Sequence, residues 1–317
     1  MKKLMRVIML LLMLAAIYYF LRCDGIARLT DALNGDKDYR STISLDVEES
    51  AAPSEEVTPD PSDSGEPDIL PTTISGGLII KNATSYTVDV SELMAQGVPF
   101  TLDSELPQIL IIHTHSSEAY SPAGLDQYVA SGTSRTLDTE YSVIRVGDEL
   151  ESIFESYGLN VIHDRQIFDY PSYTGSYNRS GAAVEEYLKQ YPTIKIVIDL
   201  HRDALGTDDV IYKVVADETG SCASQIMMLV GTDDSGLEHP GWQSNLRLAL
   251  YLQNAVTAKY PTLMRPVQLV SARYNQHLSP GSMILEVGSS GNTLQEALAA
   301  IRLFGNTAGP ALAELIE

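Results

Sequence analysis

After about residue 76 the chain alternates two patterns, and that alternation limits its fold more than any other feature. Short β-branched or apolar runs, "QILIIH", "LNVIHD", "KIVIDLH", "VIYKVVAD", "QIMMLVG", "PVQLVS" and "SMILEVG", are strand candidates. Between and after them lie helical stretches over Tyr141–Tyr157, Gly181–Gln190, Trp242–Lys259 and Thr293–Ile316. Strands alternating with helices predict an α/β domain with a mostly parallel mixed sheet flanked by helices. The sequence shows no internal repeat.

The segment ahead of that domain has a different composition. Lys2, Lys3 and Arg6 precede fifteen unbroken apolar residues, Val7 to Leu21. Leu4 and Met5 extend the run, with Arg6 snorkelling to the headgroups, and Tyr18, Tyr19 and Phe20 suit the outer interface. No small-x-small site follows the apolar core, so residues 1–23 are expected to be an uncleaved transmembrane anchor. The basic end then stays in the cytoplasm and the rest of the chain lies outside it. Residues 24–75 are rich in Pro, Ser, Asp and Glu. Thirteen acidic and three basic residues leave them a charge of −10. Such a segment buries too little apolar surface to offset its chain entropy, so an extended, disordered linker is expected. Residues 76–317 form the expected folded domain.

The formal net charge of the chain is −21. A surface of that sign repels phosphate backbones and argues against nucleic acid as a partner. The two cysteines, Cys23 and Cys222, form no CxxC pair, which excludes a cysteine-based zinc knuckle. No bridge between them is expected, because Cys23 lies beside the anchor. The chain has no GxSxG elbow, P-loop or HExxH motif.

Three strand candidates end in chemistry. "ILIIHTH" ends at His113 and His115, "KIVIDLHRD" at His201, Arg202 and Asp203, and "SMILEVGSSGN" carries Glu286. In open α/β sheets, ligands bind beyond the carboxyl ends of the strands. Imidazole and carboxylate are the zinc ligands available when thiolates are absent, and a further carboxylate is needed to take a proton from water. Each residue alone has a plainer reading: His113 or His201 as a hydrogen-bonded cap, Asp199 and Asp203 as loop braces, Glu286 as a partner of Arg202. Together they favour a metallohydrolase. His115 has two readings. On a continuing strand it would share a face with His113 at about 6.7 Å, as in a His-x-His site; otherwise it orients substrate or supports the ligands. His163 reads as structural, and His239 and His277 as loop residues able to line a cleft. Tyr120, Tyr128, Tyr170 and Tyr173 read as surface or core residues rather than sugar platforms.

"HTHSSEAY", "RVGDEL", "DLHRDA", "GTDDSGLEHPGW" and "RYNQHLSPGSMILEVGSSGNTLQEA" closely resemble the stage II sporulation protein P family in five separated motifs. The resemblance spans about residues 76–317 and includes the anchor-plus-linker layout. It implies a domain similar to the zinc N-acetylmuramoyl-L-alanine amidases, with a mixed sheet wrapped by helices. It implies a membrane-anchored peptidoglycan hydrolase that cuts the amide between muramic acid and the stem peptide, with an endopeptidase activity also ascribed to the family. The implied partners are stage II sporulation proteins D and M. The implied task is engulfment of the forespore, with the domain outside the cytoplasm. Carried over residue by residue, His113 and His201 look like the zinc imidazoles and Glu286 like the catalytic glutamate. The third ligand stays open among Glu118, ranked first, Asp138 and Glu140. Arg202, His115, Asp138 and His277 look like supporting or substrate-binding groups. An inactive peptidoglycan-binding scaffold is the alternative function.

Overall fold

The computed structural model describes residues 72–75, 77–207, 210–218 and 222–317. Ile69–Glu317 forms one compact unit. In chain order its elements are β1 (Thr72–Ser75), β2 (Leu78–Asn82), α1 (Val90–Gln96), β3 (Ile109–Ile112), β4 (Ala130–Gly132), β5 (Arg135–Thr136), α2 (Val143–Ser156), β6 (Val161–His163), α3 (Ser176–Gln190), β7 (Ile196–Asp203), β8 (Ile226–Gly231), α4 (Trp242–Lys259), β9 (Val267–Val270), a 3-10 turn (Gln276–Leu278), β10 (Gly281–Ser289) and α5 (Leu294–Ala313).

Eight strands form one sheet in the order β1-β2-β9-β8-β10-β7-β3-β6. Only β1 against β2 and β8 against β10 pair antiparallel; the other neighbours are parallel. The expected mostly parallel mixed sheet flanked by helices is therefore the fold. β3 and β7 are central and covered on both faces. This is why β3 reads as an uninterrupted apolar run and β7 stays buried through Arg202.

The two faces carry different covers. Ile109 and Ile111 of β3 and Ile196, Ile198 and Leu200 of β7 pack with α2, α4 and α5 in the larger core. Leu110, Ile112 and Val197 point the other way and pack with Val184 of α3. Ser142 caps α2 by accepting from the Ile144 amide, and Thr293 and Glu296 form a capping box on α5. These caps fix the helix starts close to where the sequence places them.

Two sequence expectations need correction. β1 pairs along its length with β2, so the folded part begins ahead of residue 76. "VIYKVVAD" is not a strand of the sheet. It makes isolated bridges at Ile211 and Val215, and Val210, Ile211, Tyr212 and Val215 are exposed. Its Val214 backbone bonds the Asn292 side chain instead of a neighbouring strand. Cys23, on which the expectation of no bridge depends, lies outside the described residues. The expected anchor at 1–23, and the linker up to residue 71, also lie outside them. Among the described residues, no helix is long and apolar enough to cross a membrane.

Candidate metal centre

β10, β7 and β3 are consecutive in the sheet and mutually parallel, so their carboxyl ends share one edge. Alternation along a strand then decides which side chains meet. Asp199 and His201 follow Val197 on the α3 face of β7. Glu286 stands in register beside His201 on β10. β3 ends at Ile112, and the chain turns through residues 114–117. That turn swings His115 and Glu118 over the same face. His115, Glu118 and His201 each place a ligand atom within 4.8 Å of the others.

The internal geometry is tight. Glu118 Oε2 lies 3.3 Å from His201 Nδ1, and Glu118 Oε1 lies 3.6 Å from His115 Nδ1. The rings of His115 and His201 meet edge-on at 5.1 Å. Asp199 Oδ1 lies 2.9 Å from His201 Nε2, but the direction is poor and this buried nitrogen has no hydrogen bond. Asp199 also accepts from the Thr114 amide and hydroxyl, both at 2.7 Å, which braces the turn carrying His115.

Charge in the centre follows from burial and from these neighbours. Burial opposes ionisation of Glu118, but Arg202, His115 and His201 outweigh it and hold its pKa well below the usual carboxylate value. Burial likewise opposes a charge on His201, yet Asp199 and Glu118 raise its pKa well above 6.5. Glu286 behaves oppositely. Burial, only partly countered by His201, lifts its pKa to about 8. Its Oε2 is buried without a hydrogen-bond partner.

The predicted site residues separate into those the fold brings together and those it does not. Glu118, His201 and Glu286 converge, joined by His115. His113 does not. It shares the face of Ile109 and Ile111, is wholly buried, and bonds Leu200 O and His163 Nε2, each at 2.8 Å. The fold thus brings His115, and not His113, to the cluster with Glu118 and His201. The cause is the turn after Ile112, which breaks the alternation that a continued strand would keep. Asp138 is exposed and accepts from the Glu140 amide in a turn. The Glu140 side chain is 66% exposed beside Arg165. Neither reaches the cluster. His277 is exposed and its ring faces His239 at 6.4 Å, also away from the cluster.

Arg202 supports the site from beneath. It is buried, donates to Ala119 O and Ser134 O at 3.0 Å each, and lies 3.7 Å from Glu118 Oε1. Its backbone amide donates to Glu118 Oε2 at 3.2 Å. Tyr173, read from the sequence as a surface or core residue, stacks on His115 at 4.6 Å. Two neighbours escaped the sequence reading: Tyr177 of α3 meets His115 edge-on at 5.5 Å, and Arg135 of β5 reaches Glu118 at 3.7 Å. No local pattern marks them.

Two imidazoles and a carboxylate, with an unpartnered buried Glu286 oxygen beside them, form a donor set that suits zinc. The family model of stage II sporulation protein P matches residues 28–307. The chain belongs to the stage II sporulation protein P family. It is similar to stage II sporulation protein P of Bacillus subtilis (strain 168), 24% identical over 199 residues, which is 59% of this chain and 47% of that one. The match thus spans about half the length of that relative. Among solved structures, it is similar to N-acetylmuramoyl-L-alanine amidase AmiC2 of Nostoc punctiforme, at 16% identity and a TM-score of 0.35, covering 66% of this chain and 94% of that one. The CwlD amidase from Clostridioides difficile, solved with the GerS lipoprotein, matches at 14% identity and a TM-score of 0.35, covering 63% and 95%.

Proposed function

We propose that this chain is a zinc-dependent peptidoglycan hydrolase of sporulation: an N-acetylmuramoyl-L-alanine amidase that also cuts peptide cross-links as an endopeptidase. The observation that carries the reading is the convergence of His115, Glu118 and His201 on one sheet edge, with a buried Glu286 oxygen beside them that has no hydrogen bond. An idle scaffold has no need to bury an unpaired carboxylate there, at a cost of order 1–3 kcal/mol.

His115, Glu118 and His201 would hold the ion. Bound there, zinc would supply Lewis acidity toward a carbonyl and water with a pKa lowered to about 7. Glu286, its ionised form favoured by the charge of a bound cation, would then accept the proton of the attacking water and pass it to the amine as the C–N bond breaks. Arg202 and Arg135 keep Glu118 ionised and fixed. Asp199 holds Thr114, and through it the turn that aims His115. Tyr173, 56% exposed and stacked on His115, offers an aromatic ledge at the mouth of the site for the sugar or stem peptide.

The domain lies outside the cytoplasm on a membrane anchor, a reading supported by the basic residues and apolar run of residues 1–23. Stage II sporulation proteins D and M are its partners in forespore engulfment. The deciding experiment incubates purified sacculi with the full-length chain, with and without a chelator, and analyses the released muropeptides. Metal-dependent release of stem peptides with free N-terminal alanine supports the amidase reading; no release by zinc-loaded protein overturns it.

A further inference from the structure

The opposite face of the sheet holds a second cluster, in which His163 faces Asp148 and Glu151 of α2. Its hydrogen bonds determine where the protons sit. Leu200 O can only accept, so His113 Nδ1 carries a hydrogen and donates to it at 2.8 Å. His113 is wholly buried, which keeps the ring neutral and leaves Nε2 as an acceptor. That nitrogen lies 2.8 Å from His163 Nε2, so His163 Nε2 is the donor of the pair.

A neutral His163 then presents the lone pair of Nδ1 to Asp148 Oδ1 at 3.3 Å and to Glu151 Oε2 at 3.2 Å. Arg165 donates to Asp148 Oδ1, but the lone pair of His163 Nδ1 and Glu151 Oε2 still face each other at 3.2 Å with no proton between them, so a positive charge belongs there. One imidazole and two carboxylates are the donor set of a zinc-class divalent cation. The His163 side chain is 1% exposed, while those of Asp148 and Glu151 are 23% and 31% exposed, which gives the cluster a route to solvent. Arg165, 43% exposed, also reaches Glu140 at 3.9 Å. Gly147 completes the arrangement: a Cβ there would lie 2.6 Å from His163 Nε2 and 2.7 Å from His113 Nε2. The histidine pair fills the space a side chain would need.

We propose that His163 Nδ1, Asp148 and Glu151 hold a second divalent cation of the zinc class, a structural site on the far side of the sheet from the His115 centre. It ties α2 to β6. Through His163, His113 and Leu200 O it also steadies the strand that delivers His201. The site stands on its own residues and does not depend on the catalytic reading.

The test is equilibrium dialysis of the full-length chain against Zn2+, with metal analysis. Wild type should hold two ions, Glu151→Gln one, His115→Ala one, and the double variant none. Asp148→Asn must repeat the Glu151→Gln loss, and in the His115→Ala background added zinc must raise the melting temperature. A His115→Ala chain that holds no zinc overturns this proposal while sparing the catalytic one. A Glu151→Gln chain that still holds two ions overturns it as well. So does a 15N spectrum showing His163 Nδ1 protonated at neutral pH in zinc-saturated protein, because a proton then occupies the place. If wild type holds one ion that Glu151→Gln loses and His115→Ala keeps, the second site stands and the catalytic centre falls.

Discussion

Glu118 Oε2 lies 3.3 Å from His201 Nδ1 although the two residues sit on different elements. The turn after β3 and the carboxyl end of β7 bring them together, and Arg202 beneath them prevents the buried carboxylate from protonating. The centre is therefore assembled around an ionised glutamate, which is the form that binds a metal.

Exchange of the two neighbouring histidines should separate their roles. His115→Ala should lose the catalytic ion and muropeptide release together. His113→Ala should leave the three ligand side chains in place but destabilise the fold by about 2–4 kcal/mol, through a buried cavity and an unpaired Leu200 carbonyl. Metal content, release and urea midpoints of both variants measure this. Catalysis lost in His113→Ala at full stability would contradict the assignment.

Glu286→Gln should keep its zinc and lose hydrolysis by roughly 10²–10⁴. Glutamine keeps the size of the side chain but cannot take the proton of water. Zinc lost with the substitution would make Glu286 a ligand, and a wild-type rate would remove it from the reaction.

Arg202→Met should cost stability and metal affinity at once. Removing the guanidinium leaves Glu118 buried with less compensation, a loss on the order of 3–5 kcal/mol for a broken buried pair. Chemical unfolding paired with a zinc titration reads both effects. Unchanged affinity in the variant would mean that Arg202 braces only the Ala119 and Ser134 backbone.

Gly147→Ala should destabilise the domain by about 1–3 kcal/mol. The new methyl would fall on the imidazoles of His113 and His163, and both are packed too closely to retreat. A melting temperature equal to that of wild type would show that the histidine pair can move aside.

Acid should weaken the fold in part through His239. Burial, aided by His277, lowers its pKa to about 4, while the unfolded chain titrates near 6.5. Between those values the unfolded state binds more protons, so stability falls as the pH drops through that window. His239→Gln can still accept from Asn245, which bonds His239 Nε2 at 3.1 Å. Its urea midpoint should fall less than that of wild type between pH 6.5 and 4; an identical slope would assign the acid sensitivity elsewhere.

Local patterns were enough for the sheet and helices. β-branched runs bounded by turns located β3, β7, β8, β9 and β10, because strand alternation and helix capping are short-range. They were also enough to send His201 and Glu286 to one edge, since both lie within strands whose direction the alternating βα pattern implies. β1, β2 and α1 escaped notice, being short and marginal until the rest of the sheet gives them something to pair with. "VIYKVVAD" misled for the converse reason: its β-branched residues favour extended backbone, but its backbone bonds go to the Asn292 side chain and to loop residues such as Leu205 and Ala223. The choice between His113 and His115 belongs to the tertiary structure alone. Their residue types and spacing are consistent with either role. A turn that begins at Thr114, two residues after Ile112, leaves one imidazole against His163 on the far face and carries the other over to Glu118 and His201. Where a strand stops is set by what the loop beyond it can bond to, here Asp199, 85 residues away from Thr114, and no local pattern records that.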